Sequence, residues 1–281
     1  MIFGVKKMKK TLDREKTQII CSPCFDLALC LDCGQAFRWE RDENGWSGVI
    51  GDRFFCLEQQ GNRLSISGST DEKSIKLLKE YFDFGRDYEK IAEQLKNDEY
   101  FFKAYSLYCG IRILRQDSWE ALCSFIISQN NNIPRIKGIV SRLCENFGEE
   151  IAQGVYSFPT AQRLATLKVE DLSVLRSGFR AKYIIDAARK VSDGTVDLEK
   201  IAEMPLENAR ESLMTIKGVG PKVAECTLLY GFNRLEAFPV DVWVKRILGE
   251  LYENGLPECF SGYEGIAQQY LFHWRRNLDT K

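Results

Sequence analysis

The chain has 281 residues, 44% of them hydrophobic, with 39 Lys/Arg against 40 Asp/Glu. That length suits one large or two ordinary domains with a sizeable core. No apolar run reaches the roughly 18 residues of a transmembrane helix, and the start MIFGVKKMKKTLDREK lacks the apolar stretch of a secretory signal, so a loose basic tail is expected over 1–17. A net charge of −1 does not advertise nucleic-acid binding, but the charge is uneven. Residues 40–100 carry 9 Lys/Arg and 14 Asp/Glu, a balance of −5, and residues 111–190 carry 12 and 8, a balance of +4. A local basic face is what phosphate binding needs, and net charge does not exclude one.

In chain order, residues 18–115 read as a strand-rich domain. Phe25 to Leu31 alternates like a strand, and Gln35 to Arg41 is expected as the next. It turns through Asp42-Glu43-Asn44-Gly45 into Trp46 to Ile50. Arg53 to Gln59 then turns through Gln60-Gly61-Asn62 into Leu64 to Ser67. Short runs joined by Asn/Gly turns imply an antiparallel meander. Ser74 to Phe82 and Tyr88 to Leu95 have helical spacing. From Ser118 the pattern is nearly all helical: Trp119 to Ile127, Ile133 to Phe147, Thr160 to Ala165, Val169 to Arg176, Ala181 to Asp193 and Leu206 to Thr215. The fold class is therefore α+β, with an antiparallel-sheet domain at 18–115 and a larger helical region at 116–281.

Ten cysteines in a chain read as having no signal peptide suit a reducing compartment. Cys21-x-x-Cys24 and Cys30-x-x-Cys33 lie only five residues apart, whereas zinc ribbons usually leave about 15–20, so zinc is not expected. After Cys226 only Cys259 remains, too few for a four-cysteine iron–sulfur cluster near the C-terminus. His273 is the single histidine, which removes most histidine-based triads and metal sites.

The most informative stretch is Leu213 to Leu248. A helix ends near Thr215, Gly218 and Gly220 interrupt it, and a second helix restarts at Pro221, a residue suited to a first helical turn. The hairpin at 213–222 can bare its N–H groups to a phosphate, with Lys217 beside it. Lys222 follows in the first turn of the new helix, where the dipole disfavours a cation, and a neutral lysine amine is a nucleophile. After the loop at 231–241, Asp241 stands at the N-cap of a helix over Val242 to Leu251. Taken singly, Lys222 is more often a surface or phosphate-binding lysine, and Asp241 a cap worth about 1 kcal/mol.

Together these residues resemble the helix-hairpin-helix-Gly/Pro-Asp signature of a DNA glycosylase superfamily. Lys222 falls at the Schiff-base lysine of its bifunctional members and Asp241 at the superfamily's catalytic aspartate. Gly34-Gln35-Ala36-Phe37-Arg38-Trp39 resembles a string of the eukaryotic-type 8-oxoguanine DNA glycosylases. There the glycine carbonyl accepts the N7–H that distinguishes the oxidised base, since guanine N7 is itself an acceptor. Asn130-Asn131-Asn132-Ile133-Pro134-Arg135 resembles the family string whose first asparagine fills the gap left by the flipped base and whose arginine reads the orphaned cytosine. Arg180 matches a second cytosine-reading arginine, with Phe179 replacing a tyrosine at the wedge position. Gln268 and Phe272, four apart on one helical face, match residues that read and stack on the base, and Cys226 matches the cysteine on its other face. Trp243 stands where the family has a phosphate-contacting histidine.

The resemblance implies a bifunctional 8-oxoguanine DNA glycosylase/AP lyase acting on double-stranded DNA. No cofactor is required, although the hairpin can hold a structural ion through its carbonyls. A monomer without membrane attachment is expected, in the cytoplasm at the nucleoid of a prokaryote or in the nucleus of a eukaryote. Two alternatives compete: a monofunctional alkylated-base glycosylase and a non-catalytic helix-hairpin-helix DNA-binding protein.

Overall fold

The computed structural model describes residues 16–278, so the tail expected at the start lies outside the described residues up to residue 15. Thr17, expected to end that tail, already pairs with Ile66. The first strand is β1 (Thr17–Ile20). Phe25 to Leu31 is not a strand: Asp26 accepts a hydrogen bond from Leu29 N–H and caps a short helix, α1 (Leu27–Leu31). Its buried residues, Leu27, Cys30 and Leu31, follow i, i+3, i+4, a helical face that the apparent alternation concealed.

Gln35 to Arg41 is likewise not a strand for most of its length. Pairing begins only at β2 (Glu40–Asp42), and Cys33 to Trp39 forms an irregular strap. β3 (Gly45–Ile50), β4 (Arg53–Gln60) and β5 (Arg63–Gly68) follow as the meander predicts. The antiparallel sheet has the order β1-β5-β4-β3-β2. α2 (Glu72–Tyr81) closes the sheet core, in which Trp39, Phe55, Leu57, Leu64, Ile66 and Phe82 are buried.

α3 (Tyr88–Leu95) is capped by Asp87, and α4 (Glu99–Tyr108), unforeseen in the sequence, is capped by Asp98. Their apolar residues join the helical core rather than the sheet core, as does Phe37 of the strap. α5 (Ser118–Ser128) runs through the centre of that core, with its residues from Trp119 to Ile127 buried except Glu120. α6 (Ile133–Phe147) follows under an Asn132 cap, then a small hairpin absent from the sequence reading, β6 (Glu150–Ala152) with β7 (Val155–Tyr156). α7 (Ala161–Ala165) leads to Val169–Leu175, which is a 3-10 helix, and to α8 (Arg180–Ser192). α9 (Leu198–Glu203), α10 (Leu206–Met214), α11 (Pro221–Gly231), α12 (Val242–Leu251) and α13 (Glu264–Leu278) complete the order. α11 packs along α5, and α13 lies against α4 and α12. The helix that carries Lys222 in its first turn is thus clamped in the core, buried from Val223 to Tyr230.

Candidate active site

The hairpin between α10 and α11 is shaped by two glycines with different duties. Gly218 has φ +79, and a Cβ there would meet the Tyr183 ring at 2.3 Å. Gly218 is therefore required by its turn and by the aromatic of α8 packed on it. Gly220 caps α11 with an extended backbone, φ −101, and a Cβ would meet nothing within 4 Å. Nothing inside the fold demands glycine at that position, so its bare backbone suits approach from outside. The Lys217 N–H is already given to Asp186 Oδ2 at 2.8 Å, which leaves its exposed side chain as the group that can reach outward.

Lys222, half-buried in the first turn of α11, points its Nζ at Ser128 Oγ, 3.4 Å away at the end of α5, and over the Phe125 ring at 5.2 Å. Cys226 lies one turn on, almost fully buried. Burial pushes its thiol pKa up, the Lys222 ammonium opposes this, and the Asp241 carboxylate adds to it. Lys222, Cys226 and Asp241 thus share one electrostatic neighbourhood. Asp241 caps α12, its Oδ1 accepting from Val244 N–H at 2.8 Å. The loop that presents it is braced by Glu225, one residue before Cys226. Glu225 Oε2 accepts from Phe238 N–H at 2.7 Å, and Oε1 is held by Arg210. Glu225 was not foreseen, since a single glutamate on an apolar helix carries no signal of a partner thirteen residues away.

Gly34 has φ +88, and a Cβ there would lie 3.6 Å from Ile133 Cδ1 and 4.0 Å from Arg276 Nη1. The strap therefore runs beside α13, where Gln268, Phe272 and Arg276 repeat every fourth residue on one face. Gln268 is buried, with Oε1 lacking a hydrogen-bond partner. A buried acceptor left unmatched costs about 1–3 kcal/mol, a debt that a ligand donor would repay. Gly34, Gln268, Phe272, Cys226 and Lys222 fall on the elements that surround Phe125 and Tyr230, two rings stacked at 5.3 Å.

The groups expected to face the partner strand divide. Asn130 is exposed at φ +46, a left-handed conformation that asparagine tolerates. Arg135 is exposed, and Phe179 is 47% exposed at the start of α8. Arg180 is not on the surface: it is 3% exposed, and its guanidinium donates to the carbonyls of Gln129, Asn130 (3.1 Å) and Ser177 (3.1 Å). Burial and the nearby Arg135 charge both lower its pKa. In this state Arg180 clamps the Asn130 loop rather than offering donors to a base. Trp243 is half-buried, with the Arg246 guanidinium 5.1 Å from its ring centre.

Among the described residues no group of three or more His, Cys, Asp or Glu could hold a metal ion. Of the paired cysteines, the Cys30 thiol donates to Gly110 O and the Cys33 thiol to Cys30 O. A cleft of about 750 Å³ between the sheet, α6 and the β6–β7 hairpin is lined by Arg38, Phe54, Lys137 and Val155, but not by Lys222 or Asp241.

Two family models match the chain in succession: the 8-oxoguanine DNA glycosylase N-terminal domain over residues 18–122, and the HhH-GPD superfamily of base excision DNA repair proteins over residues 123–255. The N-glycosylase/DNA lyase of Saccharomyces cerevisiae is 36% identical over 277 aligned residues, covering 85% of this chain and 73% of the yeast protein. The solved structure of Clostridium acetobutylicum 8-oxoguanine glycosylase/lyase, in complex with double-stranded DNA containing cytosine opposite 8-oxoguanine, superposes with a TM-score of 0.88 at 34% identity, over 95% of this chain and 97% of that one. A protein named MBOgg1, solved with a low-affinity DNA ligand, superposes with a TM-score of 0.89 at 40% identity, over 95% and 98% of the two chains. With its strap, hairpin, lysine and aspartate in place, the chain belongs to the 8-oxoguanine DNA glycosylase family within the HhH-GPD superfamily.

Proposed function

We propose that this protein excises 8-oxoguanine from duplex DNA and nicks the resulting abasic strand, with Lys222 as the nucleophile. The observation that carries this reading is the Lys222 amine in the first turn of a buried helix, 3.4 Å from Ser128 Oγ, with the charges of Lys222 and Asp241 both acting on the Cys226 thiol one turn on. The lesion nucleotide flips out of the stack. The Lys222 amine attacks C1′, the C1′–N9 bond breaks, and its electron pair leaves with the base. The Asp241 carboxylate offsets the positive charge that develops on the sugar. The sugar is then an aminal: as its nitrogen gives up a proton, the C1′–O4′ bond opens and O4′ takes up a proton, which leaves the Schiff base. Loss of a C2′ proton from that Schiff base breaks the C3′–O bond, expels the 3′ phosphate and cuts the strand. Gly34 accepts N7–H, Gln268 reads the Watson–Crick edge, and Cys226 and Phe272 enclose the ring. Phe179 wedges the duplex, Asn130 occupies the vacated space, and Arg135 reads the cytosine. Arg180 joins it once its carbonyl contacts are exchanged. Lys217, Gly218 and Gly220 hold a phosphate.

The chemistry uses only these side chains and needs no cofactor, and the hairpin carbonyls can hold a structural ion. The protein works as a monomer, free of membranes, wherever genomic DNA lies: the nucleoid in a prokaryote, the nucleus in a eukaryote. Borohydride trapping on a duplex carrying 8-oxoguanine tests the nucleophile. Wild-type protein gives a covalent adduct. Lys222→Gln binds the duplex but neither excises nor crosslinks, and full trapping by this variant would transfer the role to another lysine, with Lys217 the first to test.

A further inference from the structure

The Gly34 carbonyl can discriminate between bases only if its direction is fixed, because a hydrogen bond weakens steeply as it bends. Glycine is the residue least able to fix its own backbone, and the Cys33 to Trp39 strap has no strand ladder to hold it. The carbonyl belongs to the planar peptide unit shared with Gln35, so whatever anchors Gln35 orients the acceptor. Gln35 is 1% exposed. Its Nε2 donates to Arg112 O at 2.8 Å and Cys30 O at 3.1 Å, and lies 3.2 Å from Cys33 Sγ. Its Oε1 accepts from Leu114 N–H at 2.9 Å. Its main-chain carbonyl accepts from Gln116 Nε2 at 2.7 Å, and the Gln116 N–H donates to Tyr230 O at 2.8 Å. One carboxamide therefore ties the end of α1 to the 112–114 segment, and Gln116 carries that tie on to α11, the helix of Lys222 and Cys226. The position needs two donors and an acceptor at once. An ionised glutamate lacks the donors, and an aliphatic side chain lacks both.

We infer that Gln35 is a positioning residue for lesion selectivity, holding the Gly34 carbonyl in register with the helix that carries the nucleophile. The inference rests on the reading of Gly34 as the N7–H acceptor. Its test compares two reactions that share the nucleophile but not the base: single-turnover excision of 8-oxoguanine, and nicking of the same duplex at a preformed abasic site. Gln35→Ala should slow excision about tenfold more than nicking, the equivalent of one lost or misdirected hydrogen bond. Gln35→Glu should show the same deficit at about pH 8, where the carboxylate faces carbonyl oxygens. Its excision should recover relative to its own nicking as pH falls, since a buried carboxyl protonates readily and regains a donor. The wild-type ratio should not follow that profile. If Gln35→Ala does not fold, the pH profile of Gln35→Glu decides the matter. Equal loss of both reactions, or a flat ratio in Gln35→Glu, overturns the inference. Gly34→Ala separates the two claims. If it loses lesion preference while the Gln35 variants keep theirs, Gly34 stands as acceptor and Gln35 falls. If Gly34→Ala keeps wild-type preference, both fall.

Discussion

At the scale of single residues, a structural and a chemical reading meet in one side chain at Asp241. Its Oδ1 caps α12 through Val244 N–H, and the proposed mechanism also gives its charge a part in the reaction. Asp241→Asn separates them. Asparagine caps about as well as aspartate, so the melting temperature should move little. Excision should fall by about 100-fold or more for want of the negative charge. A variant with normal turnover and a lower melting temperature would leave Asp241 purely structural. His273 offers a cleaner titration. Its Nδ1 is buried without a hydrogen-bond partner, and its ring meets Tyr108 edge-on with centroids 4.5 Å apart. Burial first, then the Arg276 charge, holds its pKa below the ordinary 6.5. The unfolded chain therefore binds this proton more readily than the folded one, so stability is lost as pH falls below about 6.5. As His273 is the only histidine, its C2–H resonance should titrate below that value, and His273→Phe should flatten the pH dependence of denaturation between about pH 5 and 7. A midpoint at or above 6.5 would contradict the burial.

At the scale of elements, the hairpin glycines make opposite predictions. Gly218→Ala must both strain a φ of +79 and displace the Tyr183 ring, so it should lower the melting temperature and weaken binding to undamaged DNA together. Gly220→Ala meets open space at an ordinary φ, so it should leave stability near wild type and weaken DNA binding alone. If Gly220→Ala binds DNA with wild-type affinity, that backbone is not at the phosphate. The same contrast shows what could be read from the chain. The helices over Tyr88 to Leu95, Ile133 to Phe147 and Val242 to Leu251 are legible to the residue, because each has an amphipathic period and begins at a capping Asn or Asp. The segment after Asp26 was misread because five residues are too few to separate period two from period 3.6, and α4 and the β6–β7 hairpin gave no comparable pattern. The places of Lys222 in a first helical turn and of Asp241 at a helix cap are legible from the hairpin glycines, Pro221 and the loop before Asp241. Arg180 was legible as an arginine beside the wedge, but its burial comes from carbonyls some 50 residues away, a contact no local pattern encodes. The anchoring of Gln35 is hidden for the same reason, since its partners in the 112–116 segment lie 77 to 81 residues along the chain.

At the scale of the whole molecule, a buried ion pair joins the strap that carries Gly34 to the helical core. Arg38, in the strap after Gly34, pairs with Glu120 of α5 at 3.1 Å and donates to Tyr156 O of β7. Both side chains are mostly buried, at 7% and 14% exposure. Burial raises the Glu120 pKa and the Arg38 charge opposes that rise, so the carboxylate depends on its partner to stay ionised. Two charges withdrawn from water gain little net stability from each other, yet removing one strands the other at about 3–5 kcal/mol. Arg38→Met should therefore unfold at clearly lower denaturant than wild type, whereas Arg38→Met combined with Glu120→Leu should regain most of that loss. The pair would then act mainly to fix where the strap lies on α5, the helix that also ends at Ser128 beside Lys222. On that account the double variant, though restored in stability, should still excise 8-oxoguanine more slowly relative to nicking at an abasic site, because nothing polar then pins the strap between α5 and β7. Denaturation midpoints and the two single-turnover rates decide it. A double variant as unstable as the single one would show that the ion pair stabilises outright. A double variant that matches wild type in both rates would show that the Gln35 hydrogen bonds and the packing of Phe37 and Trp39 place the strap without the ion pair.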